Sequence, residues 1–300
     1  MTKQVFDLKP GKGFPISLSN EQLRIYSEGA YRNFRSNNFD PTRAKLDFEI
    51  TKGGRVVPLD DKRSIPQRIR DIIDFRGVRD PNEGLEKPRY KTVANIILGG
   101  SREQMIHLTF GEQEVNFSYG ANNSHIVREK GIEQWAIDSY NFIAKRFGEE
   151  NIVAFAVHLD ETNPHVHCTL LPINEKNRFS WISYFGNHKE ECRKIFRELH
   201  DEFAKVNAKY GLERGDDIRV TGAKHRTTEE YKQWLWEECN KLEKEADGKR
   251  RVLRMLDEEI GNAESKIKSL TTMIDNLNKQ KNTLLKEIST LKQQHGMEKR

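Results

Sequence analysis

Val157-His158-Leu159-Asp160-Glu161-Thr162-Asn163-Pro164-His165-Val166-His167-Cys168 gathers three of the chain's nine histidines and two carboxylates into ten residues. It lies between the apolar runs 152–157 and 168–173, and short apolar runs bounded by turn residues read as buried strands. Asn163-Pro164 is a turn signal, so the two runs should form a hairpin. Side chains repeat with period two along a strand, which puts His165 and His167 on one face, and the hairpin brings His158 beside them. Three neutral imidazoles on adjacent strands make a metal site with at least one open coordination position, the arrangement of a catalytic ion. A solitary histidine is more often a satisfied core or surface residue. Here the alternation, the two acids and the flanking strands together point to His158, His165 and His167 as ligands. Cys168 falls on the opposite face and reads as core.

The string His-x-Asp-Glu-x-x-Pro-His-x-His over residues 158–167 resembles the third motif of the MobV relaxases, the Mob/Pre plasmid mobilisation and recombination proteins, a branch of the HUH endonucleases. Gly211-Leu212-Glu213-Arg214-Gly215, followed by Ala223-Lys224-His225-Arg226-Thr227-Thr228-Glu229-Glu230-Tyr231-Lys232, is similar to the segment that closes that family's catalytic domain. Asp40-Pro41-Thr42-Arg43 and Leu46-Asp47-Phe48-Glu49-Ile50 resemble its Pro-Ser-Arg and Leu-Asn-Tyr-Glu-Leu elements. The matches keep the family's order and cover about residues 38–232.

The resemblance implies an α+β fold, an HUH-type antiparallel sheet with helices largely on one face. It also implies a site- and strand-specific nick at a plasmid or mobile-element transfer origin, made by transesterification on single-stranded or supercoiled DNA. Mn²⁺ or Mg²⁺ would sit on the three histidines, although imidazole ligands also suit Zn²⁺. In many MobV relaxases the first motif is His-x-x-Arg and its histidine is implicated in attacking DNA. This chain has no histidine before His107. Counting back from Pro41 lands on Tyr26, and other HUH enzymes use tyrosine, so the resemblance implies Tyr26 as nucleophile, with Tyr31 second. Both are equally readable as helix-face packing residues. Glu161 would orient a ligand or take the nucleophile's proton, Asp160 being the weaker candidate. Arg43, Arg214, Lys224 and Arg226 are candidate phosphate contacts, with ordinary surface charge as the other reading.

Three hundred residues with 35 % hydrophobic content and a mean hydropathy of −0.82 are too polar for one compact globule, so part of the chain should be an exposed helix. A net charge of +5 permits nucleic acid without demanding it. No apolar run reaches the ~20 residues that cross a bilayer, and Met1-Thr2-Lys3-Gln4-Val5 opens no signal peptide. A soluble, cytoplasmic protein without membrane insertion is expected. Cys168, Cys192 and Cys239 are odd in number and lack CxxC spacing, which suggests reduced thiols.

Along the chain, Lys9-Pro10-Gly11-Lys12-Gly13-Phe14-Pro15 reads as a turn-rich basic entry. A helix capped by Ser19 is expected to run to about Phe34. Residues 44–50 alternate as a strand with Asp47 and Glu49 outward, and residues 65–75 form an amphipathic helix whose Arg68, Arg70 and Arg76 face water rather than phosphates. Residues 90–98 read as a strand, and helices follow at 101–108, 132–147 and 189–210, the last ended by Gly211. Between the hairpin and that last helix, Phe179, Trp181 and Tyr184 lie among cations and suit either base stacking or the buried face of an edge strand.

Composition changes after Tyr231. Leu253, Ile260, Ile267, Ile274 and Ile288 occupy one heptad position and Leu256, Leu270, Leu277, Leu284 and Leu291 another, with Ala263 and Lys281 as exceptions. This pattern is a coiled coil, and isoleucine at the first position with leucine at the second favours a parallel homodimer. The expected domains are therefore a catalytic domain, 1–232, and a helical extension, 233–300. Two other functions remain open: a histidine-metal hydrolase of small esters, and a metal-bound DNA-binding protein that does not cleave.

Overall fold

The computed structural model describes residues 2–25, 39–118, 120–216 and 228–297. The chain divides into two compact units, Met1–Asp217 and Ile218–Arg300. The expected boundary after residue 232 falls inside one continuous helix, Thr228–Met297.

The first unit is built on strands β1 (Gln4–Gly11), β2 (Phe48–Thr51), β3 (Arg55–Pro58), β4 (Val93–Gly100), β5 (Ile152–His158) and β6 (His165–Leu170). They form one sheet in the order β1-β4-β6-β5-β2-β3, and every pairing is antiparallel. The helices are α1 (Ile16–Gln22), α2 (Ile65–Arg76), α3 (Arg102–Phe110), α4 (Lys130–Phe147), α5 (Trp181–Phe185) and α6 (Lys189–Asn207). This is the α+β class expected.

Strand alternation sends Phe6, Leu8, Ile96, Leu98, Phe155, Val157, Val166 and Cys168 into one core with residues of α3, α4 and α6, including Met105, Trp135, Ile143, Leu199 and Phe203. Removing that much apolar area from water is the main source of the sheet's stability. A buried polar chain crosses the same layer: Trp135 Nε1 donates to Asn207 Oδ1 at 2.8 Å, and Asn207 Nδ2 donates to Gln4 Oε1 at 2.9 Å. On the other face a smaller cluster of Leu23, Ile65, Val93, Ala154 and Leu171 is closed by α1 and α2. Helices thus lie largely on one face, and the histidines point to the other.

Several local expectations are corrected. The entry turn is preceded by β1, whose last residues are Lys9-Pro10-Gly11. Helix α1 begins at Ile16, before Ser19, and ends at Gln22, as Arg24 takes a left-handed φ of 55°. Ser19 does not cap its own helix; its Oγ accepts the Ile65 backbone N–H at 2.9 Å and so joins α1 to the first turn of α2, whose cap is Ser64, accepting the Gln67 N–H at 3.3 Å. The expected continuation over 26–34 lies outside the described residues. Residues 44–46 form a 3₁₀ turn, and Asp47 and Glu49, read as outward, are buried.

Arg68, read as solvated, is also buried. It pairs with Glu49 and donates to the Asp60 carbonyl at 2.8 Å. Trp181 and Tyr184 belong to the short helix α5 rather than to an edge strand, with Trp181 packed on Phe185 at 4.3 Å between ring centroids.

In the second unit, helix α7 (Thr228–Met297) spans 70 residues, roughly 105 Å at 1.5 Å per residue. Its heptad residues Leu253, Ile260, Ile267, Leu270, Ile274, Leu277, Leu284, Ile288 and Leu291 are all exposed. Among the described residues, no helix is long and apolar enough to cross a membrane.

Breaking a buried ion pair strands the remaining charge. Arg68→Ala is therefore expected to destabilise the first unit by about 3–5 kcal/mol, read as a lowered urea midpoint; an unchanged midpoint would show that Glu49 finds solvent instead.

Candidate metal centre

The histidine loop is held from below by the turn at residues 40–43. Arg43 Nε donates to Asp40 Oδ2 at 2.9 Å. Its two terminal nitrogens donate to the backbone carbonyls of Leu159, Asp160 and Glu161, the last two at 3.2 Å each. The Asp40 backbone N–H donates to the Asp160 carbonyl at 2.7 Å. Arg43 is 1 % exposed, so its expected role as a phosphate contact is corrected: it braces the loop that joins the histidine strands. Five donors in a rigid fork suit arginine to this task.

That loop delivers the three imidazoles together. His158 and His165 face each other across the β5–β6 ladder, and one nitrogen from each of His158, His165 and His167 lies within 4.8 Å of the others. The outer hydrogen bonds fix which nitrogens are bare. His158 Nε2 donates to the Gln22 carbonyl at 2.8 Å, leaving Nδ1 buried with no hydrogen-bond partner. His165 Nδ1 donates to the Asn163 carbonyl at 2.9 Å, leaving Nε2, which lies 2.8 Å from His167 Nε2. His167 Nδ1 lies 3.4 Å from the Gln22 carboxamide, whose Oε1 is buried and unpartnered. Turning that amide lets Oε1 accept Nδ1–H and bares the third nitrogen, an assignment made by satisfying the network. Bare nitrogens this close repel each other unless a cation lies between them, so the donor set fits a divalent metal.

Electrostatics favour the same occupant. Burial, with the proximity of His158, holds His165 and His167 below the ordinary imidazole pKa, which keeps them neutral and able to ligate. Beside them lie three carboxylates and one guanidinium. Arg24 donates to Asp160 Oδ2 at 2.9 Å, to Glu161 Oε1 at 2.9 Å and to Asp47 Oδ2 at 3.3 Å. Asp47 in turn accepts the Leu159 and Asp160 backbone N–H groups at 2.7 and 3.2 Å.

Burial and the neighbouring Asp160 carboxylate push Asp47 well above the usual carboxylate range, against the pull of Arg24. Glu161 is shifted the other way. Burial would raise it, but the neighbouring His158 and His165 imidazoles and the Arg24 guanidinium hold it far below the usual range. Its Oε1 stands 3.6 Å from His158 Nδ1.

Arg214 is tied to Asp201 on α6 and donates to the Gly215 carbonyl at 3.1 Å. Tyr26, Tyr31, Lys224 and Arg226 lie outside the described residues. Sequence reading missed Gln22, Arg24 and Asp47. Arg24 was one cation among Arg24, Arg32 and Arg35 in a single segment, with no local signal to rank it. Asp47 looked outward by strand alternation, a period that the 3₁₀ turn before it breaks.

The sequence profile of the Mob/Pre family, described as plasmid recombination enzyme, matches residues 112–233. Over 103 residues the chain is 39 % identical to plasmid recombination enzyme type 1 of Staphylococcus aureus, covering 34 % of this chain and 24 % of that protein. Over 224 residues it is 30 % identical to a plasmid recombination enzyme of a Bacillus species, covering 73 % of this chain and 46 % of that one. The chain thus spans less than half the length of either relative. Among solved structures it is similar to the MobM relaxase domain in a manganese-bound crystal with plasmid oriT DNA. The TM-score is 0.53 at 20 % identity, over 78 % of this chain and 99 % of that one.

His165→Ala is expected to abolish Mn²⁺ binding in calorimetric titration. Arg24→Gln leaves all three imidazoles but loosens their supports, and is expected to weaken Mn²⁺ about 10–100-fold. Wild-type affinity in both variants would place the ion elsewhere.

Proposed function

The chain belongs to the Mob/Pre family of plasmid recombination enzymes, and on that premise we propose that it is a DNA-nicking relaxase. It would cut one strand at a transfer origin by transesterification, for plasmid mobilisation and recombination in the cytoplasm. The observation that carries this reading is the convergence of three bare imidazole nitrogens on the loop to which Arg24 fastens the N-terminal segment. The MobM relaxase domain was crystallised with manganese and oriT DNA, and His158, His165 and His167 offer the same kind of ion a site here.

A divalent cation bound there would neutralise charge on a scissile phosphate and favour in-line attack. The protein's own groups do the rest. Gln22 and Asn163 hold the imidazoles in register. Glu161, anchored by Arg24, orients the ligand set rather than taking a proton. Gln22 touches His158 and His167 and Arg24 holds the loop beside them, and Tyr26 is two residues further on in sequence. We assign Tyr26 as nucleophile, with Tyr31 as the second candidate. Its phenolic oxygen bonds to phosphorus while the bond to the 3′ oxygen breaks; the phenol proton is lost and the 3′ oxygen gains one. The products are a 5′-phosphotyrosine and a free 3′-hydroxyl, and the covalent bond conserves the energy for religation. Arg214, Lys224 and Arg226 are proposed to contact the DNA backbone.

The test is supercoiled DNA carrying the cognate origin, incubated with Mn²⁺ or EDTA and resolved on a denaturing gel. A Mn²⁺-dependent protein–DNA adduct mapped to Tyr26, absent from Tyr26→Phe, is expected. A second reading, binding without cleavage, draws on the missing histidine before His107 and requires retention of the same DNA with no adduct.

We also propose that α7 pairs with a second copy in parallel. Carried backwards, the first heptad position falls on Cys239, which is exposed. In a parallel, in-register pair Glu245 faces Arg250 and Glu287 faces Lys292 of the second helix, by the spacing that joins the flanking positions of such coils. Mild oxidation should then give a disulfide-linked dimer that Cys239→Ser abolishes. A monomer by light scattering, with no cross-link, would overturn the pairing.

A further inference from the structure

The junction between β4 and α3 is tied to the histidine loop at two points. Asn163 Nδ2 donates to the Gly100 carbonyl at 3.2 Å, and Arg102 Nε donates to the Thr162 carbonyl at 3.1 Å. Thr162 stands between two loop residues that touch the triad. On one side is Glu161, whose Oε1 lies 3.6 Å from His158 Nδ1; on the other is Asn163, whose carbonyl accepts the His165 Nδ1–H at 2.9 Å. Arg102 thus carries its charge to the edge of the loop that presents the metal ligands.

This side chain is exposed and yet fixed. Its guanidinium lies over the Phe117 ring, 4.7 Å from the centroid, and the same ring receives the guanidinium of Arg43 at 5.2 Å. Phe117 therefore links the arginine that braces the loop from within to the one that stands outside it. A cation over an aromatic face is held by the ring's quadrupole, so Phe117 sets the plane of the Arg102 guanidinium and the Thr162 carbonyl sets its rotation. The two terminal nitrogens of Arg102 make no hydrogen bond, and the side chain no ion pair, among the described residues. Ordering a long side chain costs entropy, and here that cost is met before any ligand arrives. A guanidinium held with two parallel donors open is prepared for a planar, two-oxygen acceptor.

We propose that Arg102 grips the DNA backbone at a phosphate flanking the scissile one, through the two terminal nitrogens that the protein leaves open. This inference rests on the relaxase reading. A strand whose scissile phosphate reaches the three histidines brings its neighbouring phosphates past the loop, and Arg102 stands where the loop turns. With one neighbour held there, the scissile phosphate is kept in register with the imidazoles, which is a positioning role. Such a contact orients the strand and carries no base preference.

The experiment places single neutral methylphosphonate linkages, one position at a time, along a labelled single strand of the cognate transfer origin. Affinity is read by fluorescence anisotropy in EDTA, so that cleavage plays no part. For the wild type, a linkage flanking the nick should weaken binding about tenfold. Arg102→Ala should weaken the unmodified strand by a similar factor and become indifferent to that linkage, while every other linkage keeps its effect. Its slope of log affinity against log salt should be shallower by about 0.7. Arg102→Lys, which keeps the charge without the fork, should restore the slope and part of the affinity. Mn²⁺ affinity and the urea midpoint should be unchanged in both variants. A role confined to bracing the loop would instead lower one of those two and weaken binding without silencing any single linkage. That result, or an Arg102→Ala profile that keeps every sensitivity of the wild type, overturns the assignment while leaving the relaxase reading intact. A wild type that neither binds the origin strand nor forms an adduct with supercoiled origin DNA overturns both.

Discussion

The guanidinium of Arg24, among the carboxylates of Asp47, Asp160 and Glu161, is the interaction on which the site depends. A charge taken out of water is tolerated only when its partners are all in place. Those partners come from two parts of the chain, the entry to β2 and the loop between the histidine strands, and Arg24 itself stands on a third, the segment after α1. Satisfying one cation therefore assembles the site's three components at once. Arg24 carries a left-handed backbone where α1 stops, so the same residue ends the helix and turns the following chain towards the loop. Arg43 completes the arrangement by donating to the loop's carbonyls at Leu159, Asp160 and Glu161.

The metal site and its supports divide the electrostatic work. His165 and His167, held neutral by burial, contribute lone pairs without charge, while Glu161 beside them supplies negative potential that draws a dication. Asp47 illustrates why the cation matters: two buried carboxylates side by side cannot both ionise cheaply, and Asp47 is pushed up against the pull of Arg24. Glu161, nearest the imidazoles, is instead held ionised. One acid is thus kept for structure and one for the ion, by environment alone.

How much of this was legible depended on the range of the signal. The histidine hairpin could be read directly because strand period two and a turn dipeptide are local, and α2, α4 and α6 followed from helical periodicity and glycine stops. Strand β1 was hidden by Lys9-Pro10-Gly11, whose turn character dominates a segment that tertiary pairing with β4 makes extended. The roles of Arg43 and Arg68 were inverted because a turn cation and a helix-face cation look solvated until the fold supplies buried carbonyls and carboxylates for them. Ser19 was read as a cap but spends its hydroxyl on the Ile65 backbone N–H, a recipient distant in sequence. Arg24 carries no local mark at all; it gains meaning only from what the entry to β2 and the loop between β5 and β6 place beside it.

The most direct measurement is diffraction from crystals soaked in Mn²⁺, with data collected at the manganese absorption edge. The expected result is a single anomalous peak bounded by His158 Nδ1, His165 Nε2 and His167 Nε2, with Gln22 Oε1 turned towards His167 Nδ1. A peak elsewhere, or none at an ion concentration that saturates the protein in solution, would contradict the assignment of the triad as the metal centre.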